Sequence, residues 1–168
     1  MSLSMYQASV PVLTRALSNL STLLDKAAAH CTAKKIDPVV LLGSRLYPDM
    51  FALTRQVQIA TDRSKGAGAR LSGVEIPKYE DDEKSIDDLK ARIAKTIAFL
   101  NGLNAKTIDG TEAKEINLTI GGQPWVTNGQ TYLLNFAIPN VLFHSATAYG
   151  IMRHCGVELG KGDFLGPR

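Results

Sequence analysis

Apolar residues near the N-terminus return at alternating steps of three and four: Val10, Leu13, Leu17, Leu20 and Leu24. That spacing lines five aliphatic side chains along one stripe of a 3.6-residue turn, and such a stripe must be buried against other elements. An amphipathic helix is therefore predicted from near Ser9, or somewhat earlier, to about Cys31, with Pro11 tolerated in its opening turns. The pattern recurs three times. After Asp37-Pro38 it runs through Leu42, Leu46, Met50, Leu53, Val57 and Ala60, with Pro48 expected to kink the helix or start a new one. Ser85 and Asp88 read as a variant capping box ahead of Ile86, Leu89, Ile93, Ile97 and Leu100, with Gly102 as the C-cap. The last run goes from Leu133 through Phe136, Val141, Ser145, Ala148 and Met152 to Cys155, stopped by Gly156 and kinked near Pro139.

Between these runs lie two other kinds of segment. Residues Asp62 to Tyr79 carry Gly66, Gly68, Gly73 and Pro77 among polar neighbours, which is loop composition, so Lys65 and Arg70 are expected as flexible surface charge. Ile116, Leu118 and Ile120 alternate with polar residues before Gly121-Gly122, and Trp125 and Val126 follow, the pattern of a short hairpin. Phe164 and Leu165 are the apolar anchors of the tail. Four amphipathic runs with too little strand for a free-standing sheet predict an all-α fold. It is a four-helix bundle with a short β-hairpin before the last helix, as one domain over residues 1–168. The long connection from the second run to the third leaves room for a crossover.

Charge and cysteine content narrow the function classes. With 19 Lys and Arg against 16 Asp and Glu, the net charge of +3 is small and gathered into no stripe, so neither nucleic acid nor an anionic membrane is an expected partner. No apolar run reaches the roughly 18 residues of a spanning helix, and no signal peptide opens the chain. Cys31 and Cys155 allow at most one bridge and are read as reduced thiols, which with the missing signal predicts a cytoplasmic protein.

Bundles build their sites from polar side chains on inward helix faces, so polar residues in apolar runs are the candidates. On the last helix Asn140 and His144 stand four apart, one turn from each other and about 40° around the axis. On the second, Gln56 lies beside Leu53 and Val57, near Arg55 and Gln58. Asp49, just after Pro48, reads as a carboxylate favoured by the dipole in a first helical turn. His30 and His154 adjoin Cys31 and Cys155 without a second ligand pair at metal spacing. Phosphate loops, nucleophile elbows and His-Glu-x-x-His patterns are missing.

Several longer strings carry a resemblance: Pro139-Asn140, Phe143-His144, Ala148-Tyr149-Gly150-Ile151, Arg153-His154 and Asp163-Phe164-Leu165-Gly166, together with Arg45-Leu46, Pro48-Asp49-Met50 and Gln56-Val57-Gln58-Ile59-Ala60. Over nearly its whole length the chain of 168 residues resembles bacterial domain-of-unknown-function family 1993, a branch of the DinB/YfiT-like superfamily. The resemblance implies a helical bundle, often dimeric, in a superfamily whose members frequently hold a divalent metal on three histidines and include thiol-dependent S-transferases and isomerases. Carried across, the three histidine positions fall at Gln56, Asn140 and His144, of which only His144 keeps the identity. One imidazole with two amide oxygens holds zinc or nickel weakly, so no tightly bound metal is expected; one that did bind would sit on His144 with Gln56 and Asn140. The expected function is small-ligand binding at a remodelled site between the second and fourth helices, with His144 as the acid/base if there is catalysis. The alternatives are a metal-dependent transferase acting with a low-molecular-weight thiol, its coordination completed by water or Asp49, and a non-catalytic stress-associated interaction protein, a homodimer through an apolar helix face.

Overall fold

A computed structural model describes residues 3–167. Helix α1 spans Met5–Lys34 and begins at a capping box, in which the Ser4 hydroxyl accepts from the Gln7 amide and the Gln7 side chain accepts from Ser4 N–H. It starts four residues before Ser9, which makes Pro11 the seventh helical residue, beyond the turn whose N–H groups are free anyway. The Gln7 carbonyl that loses its donor lies on the exposed side of the helix. The stripe is buried as its spacing predicts, with Val10, Leu13, Leu17, Leu20 and Leu24 all inaccessible.

The second stripe breaks where the sequence reading carried it through. Asp37 caps a five-residue helix, α2 (Pro38–Leu42), and irregular chain follows until α3 (Leu53–Ser72). Pro48 occupies a turn in that stretch, so Leu46 points out to solvent instead of continuing a helical face, and Phe51 beyond the turn is exposed as well. Asp49 lies in the same exposed turn, not at the start of a helix.

Helix α3 in turn runs on through the segment expected as loop and ends only at Gly73, whose φ of +83° suits glycine. Its glycines mark close packing. A Cβ on Gly68 would come within 2.7 Å of Leu100 and 2.6 Å of Leu103, so the missing side chain lets helix α4 (Ile86–Asn101) and the turn after it approach. Buried contact on that scale outweighs the roughly 1 kcal/mol that a glycine costs a helix. Lys65 is correspondingly buried, with Nζ 2.9 Å from Asp62 and 3.7 Å from the Tyr79 ring centre, rather than loose on the surface.

Helix α4 has the Ser85–Asp88 capping box read from sequence, and a short α5 (Ala105–Ile108) leads to the hairpin. Strands β1 (Glu115–Ile120) and β2 (Gln123–Asn128) pair antiparallel from Glu115 opposite Asn128 to Ile120 opposite Gln123. Gly121 and Gly122 form the two-residue turn with φ of +56° and +80°, the signs a type I′ turn needs. Asn128 then caps α6 (Gly129–Tyr132), which continues through a π turn over Leu133–Ala137 into α7 (Ile138–His154). The expected kink at Pro139 thus takes the form of a widened turn, in which Ile138 N–H reaches back to the Leu133 carbonyl. A last short helix, α8 (Lys161–Leu165), lies on α1: Asn19 donates to the Phe164 carbonyl and Lys26 pairs with Asp163 at 2.6 Å.

Helices α1, α4, α3 and α7 follow one another around the bundle in that order, which sets α1 diagonally opposite α3. The crossings therefore fall in the first and third connections, whereas the long second connection joins neighbours. No helix among the described residues is long and apolar enough to cross a membrane.

Candidate functional site

Helices α3 and α7 pack against each other in opposite directions, and this brings the two sequence candidates Gln56 and His144 into contact. Gln56 is 2% exposed and its amide has only one sensible orientation. Nε2 lies 3.0 Å from the Phe51 carbonyl, which can only accept, so the amide nitrogen donates there and Oε1 turns toward His144. Oε1 lies 2.7 Å from Nδ1 of His144 and can only accept in turn, so Nδ1 carries the proton. In the neutral ring Nε2 keeps its lone pair, and it has no hydrogen-bond partner among the described residues. Burial pushes the His144 pKa down from 6.5 to about 4, helped by the positive charges of Arg63 and then Arg55. At neutral pH the ring is an uncharged base or ligand of fixed tautomer. Phe143 meets it edge-on, ring centres 5.1 Å apart.

Asn140 does not join this pair through a hydrogen bond. Its Nδ2 donates to the Phe136 carbonyl 2.7 Å away, one turn back on the same helical run. Its side chain is half-buried. The three positions therefore divide: two form a buried pair, and the third is engaged with its own helix.

The antiparallel packing extends past the pair. Arg63 stacks over Phe136 at 5.3 Å, and one guanidinium nitrogen of Arg70 donates to the Tyr132 hydroxyl at 3.3 Å. Gln56, Arg63 and Arg70 are spaced by seven, hence on nearly one face of α3. Sequence reasoning missed the two arginines because α3 was ended too early; the seven-residue spacing would have revealed them on a helix carried to Ser72. Arg55, in contrast, is paired with Asp81 at 2.5 Å and also reaches Gln58.

A metal does not fit this donor set. Gln56 spends both amide atoms on Phe51 and His144, Asn140 spends its nitrogen on Phe136, and Asp49 is in the exposed turn before α3. The His144 Nε2 and the Asn140 amide oxygen are left, where a zinc site needs three or four protein ligands. Among the described residues no group of three or more His, Cys, Asp or Glu side chains is placed to hold an ion. Cys31 and Cys155 are free thiols lining a separate cavity of about 180 Å³ with His30, and burial pushes the Cys31 thiol up.

The pattern of helices and hairpin around this pair is shared with known proteins. Residues 5–165 match the family described as domain of unknown function (DUF1993). The chain belongs to that family. It is also similar to the crystal structure of a DinB family member protein from Shewanella denitrificans, with 41% identity and a TM-score of 0.89, covering 97% of this chain and 92% of that one. The bundle, with its hairpin ahead of the last helix, is thus a DinB-like fold. No curated protein matches the chain.

Proposed function

We propose that α3 and α7 of this DUF1993 protein form a cleft at His144 that binds a small molecule, with His144 as the group that accepts a proton or hydrogen bond from it. One observation carries the reading: the Phe51 carbonyl orients the Gln56 amide, which holds His144 as the neutral Nδ1–H tautomer and leaves Nε2 with a free lone pair. A neutral, preorganised imidazole is the form that general-base chemistry or hydrogen bonding to an acidic proton requires. A metal-dependent transfer to a thiol is the weaker reading, since the donor set does not fit the ion. The two free cysteines suit a reducing, cytosolic setting.

The test has two parts. Diethyl pyrocarbonate, which attacks unprotonated imidazole, should modify His144 at pH 5.5, where its lowered pKa keeps the ring uncharged. A thermal-shift panel of small neutral thiols should then stabilise the native protein and fail to stabilise His144→Ala. Stabilisation that persists in both His144→Ala and Gln56→Ala removes the pair from the site. A homodimer is supported by exposed apolar side chains at Tyr47, Phe51 and Phe143, the last beside His144. Light scattering showing a monomer at every concentration removes that part of the reading.

A further inference from the structure

The cavity between the hairpin and α3, about 360 Å³ in volume, is charged on one side only. Arg63 and Arg70 both line it, together with Asn117 and Thr119, and no Asp or Glu does. Neither arginine has a carboxylate partner among the described residues, although Arg55, Lys65 and Arg92 of the same bundle are all paired. Both guanidinium groups are instead steadied by aromatic rings, Arg63 over Phe136 and Arg70 over Tyr132 with a bond to its hydroxyl. The rest of the wall is apolar, and Ile120 and Val126 in it remain 40% and 60% exposed. Planar forks with nothing anionic to grip, set in a partly apolar concavity, are complementary to a carboxylate on an apolar body.

We infer that this cavity is an anion subsite for a small organic carboxylate, with Arg63 and Arg70 binding the carboxylate and the hairpin covering its apolar part. The inference rests on the proposed α3/α7 cleft and gives its ligand a chemical class. Arg63 connects the two places, since it lines the cavity and its charge also acts on His144. A carboxylate bound to Arg63 would offset part of that charge and make His144 more basic, which couples occupancy of the subsite to the state of the base.

Trp125 is the chain's single tryptophan and stands 5.3 Å from Phe136 of the cavity wall, so its fluorescence reports on occupancy. The probe is cyclohexanecarboxylate, compared with neutral cyclohexanecarboxamide, titrated at low ionic strength and pH 7 and checked by calorimetry. Saturable binding of the carboxylate is expected, with the amide at least about tenfold weaker and with Arg63→Gln and Arg70→Gln each weakening the carboxylate about tenfold or more. Arg63 is exposed and makes no hydrogen bond, so its replacement leaves folding intact. His144→Ala should keep the carboxylate affinity within about threefold, because the guanidinium groups do the gripping. The inference is overturned if the carboxylate does not saturate, if the amide binds equally well, or if both arginine variants bind like the native protein. Each of these leaves the diethyl pyrocarbonate result at His144 standing; conversely, arginine-dependent binding with an unreactive His144 would remove the cleft reading and keep the subsite.

Discussion

At the scale of single residues, the Gln56–His144 pair makes two predictions. The His144 pKa is about 4 in the folded chain against an ordinary 6.5, so between those values the unfolded chain binds more protons. Stability that is fully present above pH 6.5 is therefore lost as the pH falls toward 4. The full shift corresponds to about 3 kcal/mol, and roughly half of that remains once the ring's residual solvent access is allowed for. Urea unfolding of the native protein should thus weaken between pH 7 and 4.5 more steeply than unfolding of His144→Ala; equal slopes would mean the ring is not held neutral. Gln56→Leu strands the Phe51 carbonyl and the His144 Nδ1–H together, and a cost of about 1–3 kcal/mol in urea denaturation is expected. The residue pattern showed Gln56 and His144 only as polar residues on apolar faces, and it was the family resemblance that set them in one site, because a hydrogen bond across 88 positions is made by packing.

At the scale of elements, local chemistry was legible wherever the deciding contacts are near in sequence. The Ser85 capping box, the Gly121-Gly122 turn and the α1 stripe each depend on residues a few positions apart. Helix α3 shows the opposite case. Gly66 and Gly68 argue for a loop by propensity, yet the packing of Leu100 and Leu103 against Gly68 keeps the chain helical. Gly129, at the start of α6, is a second close approach, since a Cβ there would lie 2.1 Å from the Thr111 carbonyl oxygen. Backbone cannot yield as a side-chain tip can. Gly129→Ala should cost more than about 2 kcal/mol and lower the thermal midpoint by several degrees. Gly162, around which a Cβ meets nothing within 4 Å, is the matched control and should tolerate alanine within about 0.5 kcal/mol.

At the scale of the whole molecule, the buried guanidinium of Arg92 joins α3, α4 and the connection between them. It bonds Thr61, the Glu80 carbonyl, Glu83 at 2.8 Å and Asp62 at 2.8 Å, with Asp81 at 3.0 Å. Removing it leaves the buried Glu83 without a cation, while Asp62 keeps Lys65 and Asp81 keeps Arg55, so Arg92→Met should destabilise by about 3 kcal/mol in chemical denaturation. Burial works to raise the Glu83 pKa, but hydrogen bonds from Arg92 and Gln58 outweigh it and hold the carboxyl below its ordinary value. The stability this adds is present at neutral pH and lost as acid protonates Glu83, an effect that should be missing in Arg92→Met.

The sequence by itself determined the number of long helices, most of their inward faces, the hairpin and the family. Periodicity and turn chemistry act between residues that are close along the chain, and a resemblance needs only their order. Tertiary structure alone decided that α3 passes through its glycines, that Asn140 turns to its own helix while Gln56 meets His144, and that Arg63 and Arg70 share a cavity with the hairpin. Those outcomes depend on which surfaces become neighbours after the bundle closes, where steric fit and the need to pair buried polar atoms outweigh local preference.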